Sequence, residues 1–201
     1  MTRPLILGLT GAIGMGKSTT AALFAAEGAA VWDADAAVHR LYAPGGAAVP
    51  AVASLCPEAV RHGAVDRTVL RKWLAAAPDR LAKLEPAVHP LVAADRARFV
   101  ARAAAEGRAL VVLDVPLLFE AGGDADCDVT VVVSAPEEVQ RARVLARPSM
   151  TEDTFDRLRA RQLSDAEKRA RADHVIETTS LDAARAQVRA LLAQLRSRQD
   201  A

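Results

Sequence analysis

The sequence predicts an α/β fold, a five-stranded parallel sheet flanked by helices, and three observations predict it. Short continuous apolar runs alternate with helical patches along the chain; the first run leads into a glycine-rich turn and then a helix; and later runs end at Asp33, Asp114 and Ser134. Strands buried on both faces of a parallel sheet read as such continuous runs, because crossover helices cover both faces. The 201 residues suit one domain carrying insertions, and 51% hydrophobic residues supply a core.

The elements follow in order. Leu5-Ile6-Leu7-Gly8-Leu9 is the first strand, and a helix opens at Lys17 and runs through Leu23, Phe24 and Ala26 to a stop at Gly28. Val31-Trp32 leads into Asp33 as a short second strand. Residues 36–107 hold no convincing strand but show helical patches, Val69, Leu70, Trp73, Leu74 and then Leu81, Leu84, Val88, broken by Pro44, Pro50, Pro57, Pro78, Pro86 and Pro90. That stretch is a helical insertion. Leu110–Leu113 ending at Asp114, Val129–Val133, and the weaker His174–Ile176 complete the sheet, so the core comprises about 1–35, 108–140 and 172–201. The last helix, from Leu181, carries Ala184, Val188, Leu191 and Leu195 on one face, a core-packing pattern.

The chemistry is concentrated in the first turn. Gly11-Ala12-Ile13-Gly14-Met15-Gly16-Lys17-Ser18 satisfies G-x-x-x-x-G-K-[ST] between a strand and a helix, the P-loop pattern of nucleoside triphosphate sites. Glycines let the backbone curl with N–H groups inward as an anion nest, and the helix adds its positive N-terminal dipole. Lys17, expected as a solvent-facing charge that packs against little, then reaches the β- and γ-phosphates, and Ser18 ligates Mg²⁺. Ala109–Val115, apolar residues before Asp114, has the Walker B form; Asp114 is either a Mg²⁺-directed carboxylate or an ordinary strand end. Residues 141–171 contain Arg141, Arg143, Arg147, Arg157, Arg159, Arg161, Arg169 and Arg171. Two readings stand: a lid closing over phosphates, or a solvated face with i,i+4 acidic partners.

Lys+Arg 26 against Asp+Glu 25 leaves no global basic field, so neither a nucleic-acid nor a membrane partner is expected, whereas a small anionic substrate is compatible. Cys56 and Cys127 form no C-x-x-C, which suits a reduced cytoplasmic setting. The opening strand is too short for a signal peptide core or a spanning helix.

Gly8–Thr19, Asp33-Ala34-Asp35, His89-Pro90 and Asp114-Val115-Pro116-Leu117-Leu118-Phe119-Glu120 together resemble the dephospho-coenzyme A kinase family in wording, order and spacing. Gln140, Arg143 and Arg147, then Gln162, then Ala172-Asp173-His174-Val175-Ile176 extend the resemblance over nearly the whole chain. It implies an enzyme that uses ATP and Mg²⁺ to phosphorylate the ribose 3′-hydroxyl of dephospho-coenzyme A, the final step of coenzyme A biosynthesis. On that basis Gly11, Ala12, Ile13, Gly14, Met15, Gly16, Lys17, Ser18, Thr19, Arg143 and Arg147 bind ATP, and Ser18 and Asp114 address the metal. Asp33, Lys17 and Arg147 are catalytic, and Asp33, His89, Pro116, Leu117 and Glu120 lie on the substrate side. The insertion supplies a pantetheine groove and the arginine-rich segment a lid. Asp33 has a competing reading as a helix cap, with Asp35 the preferred cap. His89, placed before Pro90 and so biased out of helical geometry, has one as a structural hydrogen bonder. Two departures stand out: Glu177-Thr178 replaces the family's frequent Asp-Asn, and Pro148 replaces an acid after Arg147. Another small-molecule or nucleoside monophosphate kinase would share the loop and lid without the D-A-D and V-P-L-L-F-E pair. A GTP-binding switch protein would carry N-K-x-D and D-x-x-G, and neither occurs.

Overall fold

A computed structural model describes residues 3–199 and divides the chain into two compact units, one built from the chain up to Trp32 and from Ala103 onward, the other from Asp33–Arg102. In the first unit, strands β1 (Leu5–Thr10), β2 (Ala30–Asp33), β5 (Leu110–Asp114), β6 (Val129–Ser134) and β7 (His174–Glu177) form one sheet in the order β2-β5-β1-β6-β7. The β1–β5, β1–β6 and β6–β7 pairs are all parallel, with Leu7 opposite both Val112 and Val129. β1 is therefore central, and the chain crosses from one side of it to the other between β5 and β6. In such a sheet the crevice at the carboxyl end of the strands, where strand order reverses, is where ligands bind. The glycine-rich turn leaves β1 at that end.

Helices cover the sheet as the periodicity requires. Phe24 on α1 (Lys17–Ala26) and Ala184, Val188, Leu191 and Leu195 on α9 (Leu181–Gln199) are buried in one cluster with Leu7, Leu9, Val112, Val131 and Ile176. Gly28, at φ 95°, closes the turn after α1. Asp173, at the start of β7, accepts hydrogen bonds from the backbone N–H (2.8 Å) and hydroxyl (2.7 Å) of Thr130, which hold its carboxyl below the usual range and lock β7 to β6.

The second unit holds α2 (Ala34–Tyr42), α3 (Val49–Leu55), a two-stranded hairpin β3 (Val60–Arg61) and β4 (Ala64–Val65), α4 (Arg67–Ala75) and most of α5 (Asp79–Ala105). Its own core gathers Leu41, Val52, Cys56, Leu70, Leu84 and Val88. Three expectations are corrected here. The hairpin was not expected; its turn, His62-Gly63, has both residues at positive φ (50° and 75°), the signature of a two-residue turn that matches strand twist. Pro86 and Pro90 lie inside α5 rather than ending it, and His89 is helical and exposed. Each proline removes one helical hydrogen bond, but Leu84 and Val88 are packed in the unit's core, and that burial overrides the local penalty. Finally, the cap of α2 is Asp33, which accepts from the Ala36 N–H at 2.9 Å, while Asp35 sits in the first turn. A side-chain N-cap typically precedes the helix in extended backbone, as Asp33 does with φ −104° and ψ 120°, whereas Asp35 is already helical.

Candidate functional site

The site is built on the turn between β1 and α1. Gly14 and Gly16 have φ of 82° and 90°, the left-handed region in which only glycine sits without strain. A Cβ on Gly14 would also come within 2.5 Å of Val144, so the loop is packed as well as curled. Gly16 caps α1 without a side chain, leaving the first-turn N–H groups directed at the loop. Lys17 opens the helix, and Ser18 and Thr19 are exposed on its first turn.

Lys17 corrects an expectation. It is not a solvent-facing charge that packs against little: its side chain is 16% exposed and its Nζ is ion-paired with Oδ1 of Asp114, itself 3% exposed at the end of β5. Neighbouring central strands bring the two together, Leu9 standing opposite Asp114 in the sheet register.

The loop is held by side chains from three places. Gln140, on α6 (Glu137–Leu145), donates from Nε2 to the Ile13 carbonyl at 2.8 Å. Gln162, between α7 (Glu152–Arg159) and α8 (Asp165–Arg171), accepts from the Ile13 N–H at 3.1 Å. Thr178, just after β7, donates from its hydroxyl to the Met15 carbonyl at 2.7 Å. Arg143 points inward, donating from Nη1 to the Thr178 hydroxyl at 2.9 Å and from Nη2 to the Thr178 carbonyl at 2.5 Å. The remaining arginines divide. Arg141, Arg157 and Arg159 pair with Glu152, Asp153 and Glu137 at 2.6, 2.9 and 2.7 Å, as a solvated face would. Arg147 is exposed on the turn after α6, beside Pro148 and Ser149, the latter at φ 62°. A cleft of about 710 Å³ lies here, bordered by Ala12 and Met15 of the loop and by Gln140, Arg159, Gln162 and Asp165.

A second cluster stands where V-P-L-L-F-E follows β5. Lys168 on α8 is fully buried and donates from Nζ to the Pro116 carbonyl (3.0 Å) and to Glu120 (2.9 Å), with the Thr10 hydroxyl at 3.5 Å. Glu120 also accepts from the Leu163 N–H at 2.8 Å. Burial pushes its carboxyl up, but the hydrogen bonds from Lys168 and Leu163 outweigh that and hold it below the usual range. Of the loop residues expected on the substrate side, Leu117 is 43% exposed, whereas Glu120 is taken up by Lys168.

Sequence reasoning gave no role to Lys168, Gln140, Gln162 or Thr178. Lys168 follows Asp165-Ala166-Glu167 in a charged stretch and reads as solvated; nothing local marks it as buried. The glutamines and Thr178 stood in the compared segments, but that they grip the loop backbone is visible only in three dimensions.

The family model described as CoaE, dephospho-CoA kinase, matches residues 5–183. The chain belongs to the dephospho-CoA kinase family. It is 61% identical over 199 residues to a curated dephospho-CoA kinase of Cereibacter sphaeroides, covering 99% of this chain and 100% of that one. It is 54% identical over 191 residues to another, from Ruegeria pomeroyi, covering 95% of each. Among solved structures, TT1252 from Thermus thermophilus superposes with a TM-score of 0.85 at 37% identity, over 96% of this chain and 99% of that one. A dephospho-CoA kinase from Campylobacter jejuni shares the fold, with a TM-score of 0.65 at 18% identity over 96% and 98%. No helix among the described residues is long and apolar enough to cross a membrane.

Proposed function

We propose that the chain transfers the γ-phosphoryl group of ATP to the ribose 3′-hydroxyl of dephospho-coenzyme A, giving coenzyme A and ADP in the last step of coenzyme A biosynthesis. The observation that carries the reading is the loop at the end of central β1, with Gly14 and Gly16 at positive φ, in a chain of this family. Phosphoryl transfer has a loose transition state, so the protein's work is alignment and charge neutralisation. The N–H groups of the loop, through Thr19, cradle the phosphates. Lys17, paired with Asp114 here, would hold the β- and γ-oxygens, and the Asp114 carboxylate would be available to the metal.

Ser18 and Asp114 would hold Mg²⁺, which would neutralise charge on the triphosphate. Among the described residues no group of three His, Cys, Asp or Glu could hold a metal ion, whereas a Ser18 hydroxyl and an Asp114 carboxylate are the one or two hard oxygen donors that phosphate-borne Mg²⁺ needs. Asp33 accepts the proton of the 3′-hydroxyl as its oxygen bonds to phosphorus and the bond to the bridging oxygen of ADP breaks. Arg147 and Arg143 add charge over the triphosphate, and the segment of about 141–171 acts as a lid that excludes water. The segment of about 36–107 supplies the pantetheine groove, and His89, Pro116 and Leu117 face the acceptor, with Glu120 fixing the loop that presents them. The test is a coupled assay for ADP with dephospho-coenzyme A beside AMP, CMP and shikimate. Turnover with dephospho-coenzyme A alone is expected; preference for any other acceptor overturns the assignment.

A further inference from the structure

Two carbonyls of the phosphate loop are gripped from outside, and the peptide bond converts that grip into a direction. A trans peptide is planar, with its C=O and N–H on opposite sides. Gln140 holds the Ile13 carbonyl, so the Gly14 N–H of the same peptide points away from Gln140; Thr178 holds the Met15 carbonyl, so the Gly16 N–H points away from Thr178. These are the two glycines of the loop at positive φ, a backbone form that can turn N–H groups toward one anion.

Thr178 does more than Gln140. It is 5% exposed, and its hydroxyl has one proton. That proton goes to Met15 at 2.7 Å, with the Ser134 carbonyl farther away at 3.3 Å, so toward Arg143 the hydroxyl can only accept. The Thr178 carbonyl accepts from the other arm of Arg143, and its N–H donates to Ser134 at 2.9 Å, which anchors the residue to β6. We infer that Thr178 is a positioning residue that sets the Gly16 N–H of the phosphate nest and the Arg143 guanidinium together through one hydroxyl. Thr178, which stands where the family frequently has asparagine, thus serves the phosphates.

The inference rests on the ATP-dependent reading above, and the test separates the two. Thr178→Val removes the hydroxyl with little change of shape, and Thr178→Ser keeps it. ADP binding by calorimetry, the melting temperature, and KM for ATP and for dephospho-coenzyme A are measured for both variants and the wild type. Wild-type protein that binds no ADP refutes the kinase reading itself. With that control sound, Thr178→Val is expected to weaken ADP binding and raise KM for ATP by roughly tenfold, the size of one lost charge-assisted hydrogen bond. KM for dephospho-coenzyme A should stay within about twofold, and Thr178→Ser should return most of the ADP affinity. A Thr178→Val protein that melts lower but binds ADP as the wild type does overturns the inference, leaving Thr178 as packing alone. So does an equal rise in both KM values, or a serine variant that rescues nothing.

Discussion

Replacing Lys168 by methionine tests whether the buried pair with Glu120 holds α8 to the segment that follows β5. The ammonium is fully buried, and its removal takes one of two donors from the Pro116 carbonyl, the Thr10 hydroxyl at 3.1 Å remaining, and leaves Glu120 without its counter-charge. Breaking a buried pair from one side costs about 3–5 kcal/mol. Glu120 is 18% exposed and keeps the Leu163 N–H, so the lower end, about 3 kcal/mol, is expected. For a chain of this length each kcal/mol moves Tm by about 2–4 °C, giving a fall of roughly 6–12 °C. Glu120→Gln alone should cost about 2 kcal/mol, because an ammonium is then left buried with neutral acceptors. The double variant removes the orphaned charge as well and should be more stable than the sum of the singles by about 2 kcal/mol. The four proteins are melted by circular dichroism across pH. Since the Glu120 carboxyl is held below its ordinary value, its contribution is present above the unfolded carboxylate pKa and is lost as pH falls through the lowered folded one. The gap between wild type and Glu120→Gln should therefore close at acid pH. A Lys168→Met protein melting within about 2 °C of wild type, or singles that add to within about 0.5 kcal/mol, would refute the reasoning.

Three further outcomes are expected. Lys17→Ala should cut turnover by roughly a thousandfold or more, and, because it also strips a partner from buried Asp114, lower Tm as well; near-normal turnover sinks the phosphate-loop assignment. Asp33→Asn keeps the α2 cap but loses the proton acceptor, so turnover should fall by about 10²- to 10⁴-fold with Tm unmoved, whereas Asp33→Ala should add a stability loss of about 1 kcal/mol; an active Asp33→Asn enzyme removes Asp33 as base. Arg147→Ala should lower kcat more than it raises KM for dephospho-coenzyme A, leaving Tm unchanged because the side chain is exposed; a change confined to that KM moves Arg147 to the acceptor side.

The five sheet strands and the helices α1 and α9 were legible because burial on both faces writes itself as unbroken apolar runs and one-sided burial as a 3.6-residue period. β1, expected over Leu5–Leu9, runs over Leu5–Thr10, and Asp114 ends β5 as read. The insertion was less legible. Pro86 and Pro90 are strong local signals, and the burial of Leu84 and Val88 that defeats them is a tertiary fact. At the site, the motif identified the loop, but Lys17 looked solvated because its partner lies about a hundred positions away, reached only through strand pairing. Side chains that grip backbone leave no pattern at all: a glutamine that binds a carbonyl has the same letter as one that binds water.

The two glutamines also bear on how the segment around α7 meets the phosphate loop. Gln140 precedes α7 and Gln162 follows it, and both bind the same residue, one at its carbonyl and one at its N–H. Gln140 is 4% exposed, whereas Arg147, between the two anchors in sequence, stands on a surface turn. The segment from α6 to α8 therefore meets the phosphate loop at more than one residue: at Ile13 through both glutamines, and at Gly14, beside which Val144 packs. Arg143 adds a third link, reaching the Met15 carbonyl through the Thr178 hydroxyl, so the same helix that carries Gln140 is tied to three successive residues of the loop.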